Sequence, residues 1–263
     1  MISKDELMRL AGKQKLNPSS LGKDYALGWL LFGISKSSVA EKLVFKGGTA
    51  ISKIYFPENW RLSEDLDFTI TDAKNDFKLI MNALENEVPK IIQNENNMNV
   101  VLKDRPHTNV GYLQSRLQYI GPLGKDTVKI EISKDVIGKF KIEKVPRVFD
   151  YPDFEVPVYS LEDIVAEKMR SIIQRTRIRD YYDVWRLLKV HKFNNKSVKE
   201  LFLKKCESKK VQFTGVDQFF PANIAHTLEP YMKTGLTRLS RAPLPPLKTI
   251  LKELKTSLNK FLK

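Results

Sequence analysis

The chain has 263 residues, of which 42% are hydrophobic, 29% charged and 10% aromatic, a composition typical of a folded protein rather than a disordered one. No apolar run approaches the roughly 20 residues that a membrane span needs, and the charged N-terminus lacks the apolar region of a signal peptide, so we expect a cytoplasmic protein with no membrane partner. A single cysteine, Cys206, excludes an intrachain disulfide and a zinc site built from several cysteines.

The net charge of +14 is concentrated in the final third of the chain. Residues 184–263 carry 17 Lys and Arg against 5 Asp and Glu, a net charge of +12, which leaves +2 for the remainder. A basic segment beside a near-neutral body favours a polyanionic partner, and nucleic acid comes first. The alternative is a solvated, lysine-rich surface without a partner.

The N-terminal third is predicted to alternate helices with two short strands. Helices are expected over 5–16 and 21–34, followed by a strand at Leu43–Phe45 and a helix at Thr49–Tyr55. Pro57, Glu58 and Asn59 indicate a turn. Polar residues then alternate with apolar ones from Asp65 to Ile70, which predicts a half-buried strand.

Further along, the apolar spacing predicts a helix over 75–93, with a kink or an early end at Pro89. Strands are predicted at 99–103, 111–120 and 127–133, and in the last of them Lys129, Glu131 and Ser133 share the polar face. Prolines at 146, 152 and 157 indicate an extended edge.

Helices fill the predicted C-terminal part of the chain. Ser160 is expected to begin a helix, with Asp163 completing a motif that resembles a capping box. Another helix begins near Asp180, and the segment from Leu247 to Leu262 is amphipathic. A soft domain boundary is predicted near Lys192, which divides the chain into 1–192 and a basic helical domain, 193–263.

The segment from Lys46 to Phe68 carries the strongest functional signal. Gly47 and Gly48 let the backbone approach a phosphate closely, and the following helix directs N–H groups and a positive dipole end toward an anion. Thr49 adds a hydroxyl donor. Asp65 and Asp67 stand at positions i and i+2 of a strand, so both carboxylates face one way.

Two carboxylates so placed repel each other unless a hard cation lies between them, and Mg²⁺ takes oxygen ligands together with substrate phosphates. Glu131 is a candidate third ligand, because its strand is a possible neighbour of the Asp-x-Asp strand. The alternative for Glu131 is a solvated outward-facing side chain. Arg61 and Ser63 are expected to touch the nucleotide or to brace the loop.

These motifs resemble the AbiEii/AbiGii toxin group of the nucleotidyltransferase superfamily, which is related to DNA polymerase beta. The resemblance rests on three blocks, KGGTA (46–50) with RLSEDLDF (61–68), EKMR (167–170) and RDYYD (179–183). It runs from about residue 40 to 190. The 16 residues between the Gly pair and Asp65 are typical of this subgroup, whereas the wider superfamily has a closer Gly-Ser.

The resemblance implies roles for individual residues. Gly47, Gly48 and Thr49 would cradle a nucleoside triphosphate, with Lys46 beside them. Asp65 and Asp67 would bind Mg²⁺ or Mn²⁺. Lys168 would contact the phosphates and Asp180 would be the essential acid of the last motif. The resemblance also implies a toxin that arrests growth unless a cognate antitoxin is present.

From these observations we expect an α/β (α+β) fold, with a mixed sheet flanked by helices and a largely helical C-terminal part. The expected reaction moves a nucleoside monophosphate from a nucleoside triphosphate to an acceptor hydroxyl, with the tRNA 3′ end as the favoured acceptor. Two alternatives stay open: transfer to a protein side chain, and a non-catalytic module that binds RNA or a partner.

Overall fold

The computed structural model describes residues 1–72, 77–104, 106–109, 111–135 and 138–262. The chain divides into two compact units, Met1–Tyr159 and Ser160–Lys263. The boundary predicted near Lys192 falls inside the second unit and stays a prediction about how the chain divides into domains. In the described part of the chain, no helix is both long enough and apolar enough to cross a membrane.

Two helices open the first unit. Helix α1 spans Lys4–Gln14 and α2 spans Pro18–Ser35. Each begins at a polar cap, because the side chains of Ser3 and Asn17 accept hydrogen bonds from backbone N–H groups in the first turn. Helix α2 is buried along most of its length, which explains its nearly continuous apolar and small residues.

The described strands form one mixed, eight-stranded sheet in the first unit. In chain order they are β1 (Leu43–Lys46), β2 (Asp65–Ile70), β3 (Asn99–Leu102), β4 (His107–Asn109), β5 (Tyr112–Gly121), β6 (Gly124–Ser133), β7 (Phe140–Lys144) and β8 (Glu155–Tyr159). Their spatial order is β3-β5-β6-β2-β1-β8-β7, and β4 pairs with β5. The order places β2 in the middle of the sheet, so its position is held from both sides.

Strand β2 pairs antiparallel with β1 and parallel with β6. Leu66 and Phe68 are buried on one face, and the alternation leaves Asp65 and Asp67 on the other. Strand β6 follows the same rule with Val128, Ile130 and Ile132 buried. The predicted alternation of both strands is therefore confirmed.

Helices form the connections from β1 to β2 and from β2 to β3. Helix α3 (Gly47–Ala50) continues into a π-helical turn at Ile51–Tyr55. Helix α4 (Phe77–Asn82) passes through a second π turn, Ala83–Glu87, into α5 (Val88–Asn96). Pro89 directly follows this π turn, and the helical path does not end at the proline but continues to Asn96. The start of the helix predicted over 75–93 lies outside the described residues.

The second unit is built from helices: α6 (Leu161–Gln174), α7 (Ile178–Val190), α8 (Asn195–Ser208), α9 (Ile224–Tyr231) and α10 (Leu247–Phe261). The hydroxyl of Ser160 accepts a hydrogen bond from the N–H of Asp163, which confirms the predicted cap of α6. Phe202 and Phe219 are fully buried in the core of this unit, and α10 buries a stripe of leucines at helical spacing.

The structure differs from the sequence expectations at two strands. Strand β4 was not predicted, because three exposed residues carry no apolar alternation. The proline-containing stretch was predicted to be an extended edge. It is extended, but only β7 lies at the edge, and Pro157 belongs to β8 in the next position inward. Pro157 faces Ile142 of β7 in the register.

Candidate active site

The glycine turn lies directly against the Asp-x-Asp strand. Gly47 has a φ of +76°, a conformation that glycine adopts without strain. A β-carbon built at this position would stand 2.2 Å from Oδ2 of Asp67. Glycine is therefore required at this position for two reasons: the backbone is left-handed, and a side chain would occupy the space of the Asp67 carboxylate.

Thr49 joins the helix after the turn to the beginning of β2. Its side chain is fully buried, and its hydroxyl donates a hydrogen bond of 2.5 Å to the backbone oxygen of Asp65. In this arrangement the hydroxyl holds α3 against β2. Contact between Thr49 and a nucleotide stays a prediction.

Lys46 ends β1 and faces Asp67 across the antiparallel register. The side chain is 5% exposed, its Nζ lies 3.1 Å from Oδ2 of Asp135, and it stands 5.9 Å from the centre of the Tyr159 ring. A buried cation is thereby fixed at the same end of the sheet as the Asp pair.

The carboxylates of β2 stand beside charged residues of β6. In the parallel register Asp65 is opposite Lys129, and Asp67 is opposite Glu131. The prediction that the Glu131 strand could neighbour the Asp-x-Asp strand is therefore confirmed. The role of Glu131 as a metal ligand stays a prediction.

The electrostatics of Asp67 show how closely these charges are gathered. Burial of the carboxyl group, together with the negative charges of Asp65 and Glu131, raises the pKa of Asp67 to about 8, although the cations of Lys46 and Lys129 act in the opposite direction. Because these carboxylates repel one another, the cluster favours the binding of a cation.

Hard oxygen donors at this position fit Mg²⁺ or Mn²⁺. Within the described ranges, no group of three or more His, Cys, Asp or Glu side chains is arranged to hold a metal ion alone. Two carboxylates completed by substrate phosphates and water form a common donor set for Mg²⁺. The residues present therefore fit a divalent ion whose remaining ligands are water and, when substrate is bound, its phosphates.

Arg61 and Ser63 are each only 2% exposed. The Arg61 guanidinium donates a hydrogen bond of 3.0 Å to the carbonyl oxygen of Leu62. This contact matches the bracing alternative for the connection that leads into β2. Contact of either residue with a nucleotide stays a prediction.

The later motif residues lie in the second unit, where they form a buried ionic cluster. Lys168 of α6 has its Nζ 3.0 Å from Oδ1 of Asp180 and 2.8 Å from Oδ2 of Asp183, both on α7. Arg175 adds a contact of 3.1 Å to the other oxygen of Asp180. Burial acts to raise the pKa of Asp180, but the cations of Lys168 and Arg175 outweigh it and hold that pKa below its usual value.

An open groove of about 790 Å³ runs along α10 in the same unit. Its lining combines lysines with hydroxyl groups and one aromatic ring: Trp185, Lys189, Pro246, Lys248, Thr249, Lys252, Glu253, Thr256 and Ser257. The Nζ of Lys189 lies 5.1 Å from the centre of the Trp185 ring, and the indole N–H donates to Glu253. Trp185 is only 7% exposed and Lys189 also pairs with Glu253, but the exposed lysines Lys248 and Lys252 add positive charge to the groove, which suits a polyanion.

Lys129 and Tyr112 are two polar contacts of the site that the motifs did not indicate. Lys129 has its Nζ 2.6 Å from Oε2 of Glu131, and the Tyr112 hydroxyl donates to Oε1. The alternation of β6 already places Lys129 and Glu131 on one face. Tyr112 required knowledge of the β5–β6 pairing, which no motif encodes.

A mixed sheet with a glycine turn against an Asp-x-Asp strand is compatible with a nucleotidyltransferase, and comparison with known proteins identifies that class and the family. The family described as "Nucleotidyl transferase AbiEii toxin, Type IV TA system" matches residues 29–255, and the chain belongs to that family of nucleotidyltransferase toxins. No curated protein matches the sequence.

Solved structures share the fold. MenT4, a nucleotidyltransferase toxin from Mycobacterium tuberculosis H37Rv, matches with a TM-score of 0.74 and 18% identity, over 100% of this chain and 90% of that chain. JHP933 from Helicobacter pylori matches with a TM-score of 0.56 and 19% identity, over 94% of this chain and 93% of that chain. The expected fold class is confirmed.

Proposed function

We propose that this enzyme transfers a nucleoside monophosphate from a nucleoside triphosphate to a hydroxyl group of RNA, and that the reaction depends on Mg²⁺ or Mn²⁺. The acceptor oxygen would attack the α-phosphorus, the bond from the α-phosphorus to the bridging oxygen would break, and pyrophosphate would leave. The observation that carries the proposal is the contact of the Gly47 turn with Asp67 beside Asp65.

The proposed roles follow from the position of each group. Asp65 and Asp67 would hold the ion. When bound, a divalent ion supplies positive charge and Lewis acidity at the reacting phosphate. Gly47 and Gly48 would let the backbone approach the triphosphate, and the Lys46 cation would offset its charge. The sequence predicts Glu131 as a third metal ligand, but its contacts with Lys129 and Tyr112 favour the different role proposed below.

The family resemblance assigns the remaining roles. Lys168 would contact the phosphates and Asp180 would be the essential acid. Their tight pairing supports a requirement for both side chains, because removal of either charge leaves the other buried with fewer partners. Thr49, Arg61 and Ser63 would complete the nucleotide-binding surface by fixing the backbone around the Asp pair.

An RNA acceptor, with the tRNA 3′ end as the preferred choice, is supported by charge. The net charge of +12 over 184–263 and the lysine-lined groove along α10 suit a polyanion. We also propose that the enzyme acts in the cytoplasm as the toxin partner of a cognate antitoxin, as its family suggests.

A labelling assay tests the proposal. The purified protein is incubated with Mg²⁺, total RNA and each α-³²P nucleoside triphosphate in turn. Label on RNA is expected with the wild type and should be lost, by at least 100-fold, in an Asp65→Asn/Asp67→Asn double variant. A matched double variant of two exposed glutamates, Glu85→Gln/Glu95→Gln, should keep the activity.

The outcomes separate the alternatives. Label on a protein band that depends on both aspartates would move the acceptor from RNA to a protein side chain. No label with any nucleotide, from a protein that is folded and supplied with metal, would overturn the catalytic proposal and favour a binding module.

A further inference from the structure

We propose that Lys129 occupies the place of a second cation in the carboxylate cluster, so that the enzyme takes one divalent ion, at Asp65 and Asp67. The inference rests on the proposed function, because it concerns the metal count of the same site. It assigns a role to Lys129, a residue that lies outside the three sequence blocks that resemble the family.

The strand register brings four charged side chains together. Strands β2 and β6 are parallel neighbours, with Asp65 opposite Lys129 and Asp67 opposite Glu131. Residues two apart on a strand share a face, and directly paired residues of neighbouring strands lie about 5 Å apart. Three carboxylates and one ammonium group therefore occupy adjoining positions on one face of the sheet.

The distances identify the partners of the ammonium group. The Nζ of Lys129 lies 2.6 Å from Oε2 of Glu131 and 4.0 Å from Oδ2 of Asp65. The other oxygen of Glu131 accepts a hydrogen bond from the Tyr112 hydroxyl. Both oxygens of Glu131 thus contact protein donors. Glu131 therefore orients Lys129 and does not serve as a ligand of a metal ion.

The charges of the cluster favour a single divalent ion. Lys46 also acts on Asp67, but together with Asp135, 3.1 Å away, it adds no net charge, and Lys129 is the ammonium group that lies between Asp65 and Glu131. One divalent ion neutralises the charge that remains after Lys129 is set against the three carboxylates. A second would have to displace the ammonium group, and like charges at this separation repel strongly in a partly buried site.

Lys129 differs from a metal ion in what it offers the reaction. An ammonium group supplies positive charge and hydrogen-bond donors, but it does not acidify a hydroxyl as a Lewis acid does. Glu131 becomes available to a second ion only when the lysine charge is removed. This predicts that the metal count changes with residue 129 and that the change requires Glu131.

The test counts bound Mn²⁺ from the free-ion signal in electron paramagnetic resonance, with Mn²⁺ alone as the probe. Lys129→Met should bind one Mn²⁺ more per chain than the wild type. Lys129→Arg, which keeps the charge, should match the wild type. Lys125→Met, on the same strand at an exposed position, is the matched control and should also match it.

A double variant makes the test specific. In Lys129→Met/Glu131→Gln the additional ion should be lost, because its carboxylate ligand is gone. Lys129→Gln provides a second neutral variant, and circular dichroism confirms that each protein is folded. An unchanged count in both neutral variants, or an additional ion that persists without Glu131, would overturn the inference.

The same experiment distinguishes failure of this inference from failure of the proposed function. A wild type that transfers nucleotide and binds as many Mn²⁺ ions as Lys129→Met refutes only the role of Lys129. If the wild type transfers no nucleotide, and the Asp65→Asn/Asp67→Asn variant binds as many Mn²⁺ ions as the wild type, both the inference and the proposed function are refuted.

Discussion

At the scale of single residues, Gly47 shows how the backbone itself makes room for chemistry. Its φ of +76° and the 2.2 Å separation between a hypothetical β-carbon and Asp67 are independent reasons for glycine. A side chain at this position would strain the turn and displace a carboxylate that is expected to hold the metal.

Gly47→Ala should lower the rate of nucleotide transfer by roughly 100-fold or more and should destabilise the protein by about 1–3 kcal/mol. Labelling rates and thermal unfolding measure the two effects. Gly12→Ala is the control, because an added β-carbon at Gly12 meets nothing within 4 Å, and it should leave activity unchanged. Wild-type activity in Gly47→Ala would contradict the close approach of the turn to Asp67.

Asp67 makes the stability of the metal-free protein dependent on pH. Its pKa is about 8 in the folded protein against 3.8 ordinarily, so its contribution is fully present below pH 3.8 and is lost as the pH rises through about 8. Asp67→Asn should therefore stabilise the protein in EDTA at pH 8.5, on the order of 2 kcal/mol, while the difference shrinks toward pH 4.

Thermal unfolding in EDTA across this pH range measures the effect, with Glu85→Gln as a control that should show no such trend. Added Mg²⁺ should reverse the order at pH 8.5, because only the wild type gains a bound ion. A stability difference that is independent of pH would contradict the raised pKa.

At the scale of elements, α6 and α7 are joined by the ionic cluster of Lys168, Asp180 and Asp183. The sequence motifs indicate these residues but not their mutual contact, because Lys168 and Asp180 lie on different helices and helical spacing says nothing about a partner helix. Burial of all three side chains makes the cluster sensitive to the loss of any one charge.

Lys168→Met should destabilise the protein by about 3–5 kcal/mol, because two buried aspartates lose their common cation. Chemical denaturation measures it. Lys204→Met, on the exposed face of α8, should change stability by less than about 0.5 kcal/mol. Equal effects of the two substitutions would refute the buried pairing.

Asp180→Asn tests the same ionic cluster through the pH dependence of stability. The pKa of Asp180 is held below its usual value, so the stabilisation is present above pH 3.8 and is lost as the pH falls below it. The variant should lose about 2 kcal/mol at pH 7 and should lose less at pH 3. Melting temperatures at the two pH values provide the measurement, and a loss of the same size at both would contradict the prediction.

Elements with a periodic pattern were predictable, and those set by tertiary pairing were not. The amphipathic α10 and the alternation of β2 and β6 follow from sequence because burial imposes their spacing. Strand β4 and the π turn at Ile51–Tyr55 have no such local signal. The contact of Glu131 with Tyr112 depends on which strands are neighbours, which only the fold decides.

At the scale of the whole molecule, charge is divided unevenly along the chain. The basic excess lies in residues 184–263, and Lys248 and Lys252 are exposed along the groove of α10. Phosphate contacts by such lysines release counterions from a nucleic acid, so affinity should fall as salt rises. RNA binding can therefore be tested separately from catalysis.

Lys248→Ala/Lys252→Ala should weaken RNA binding about 10-fold or more at low salt and should reduce the slope of log affinity against log salt by about 1–2. Filter binding at several salt concentrations measures both. Lys4→Ala/Lys13→Ala on α1 removes the same charge from the first unit and should have little effect. Equal losses would indicate attraction by net charge alone.

The distance along the chain between the glycine turn and the Asp pair has little bearing on their distance in space. Strands β1 and β2 pair antiparallel, so the end of one and the start of the other meet whatever lies between. The connection can therefore be lengthened at its exposed turn, whereas other parts of it, such as Thr49 and Trp60, are buried. The turn at 57–59 is correspondingly a suitable point for inserting a reporter peptide.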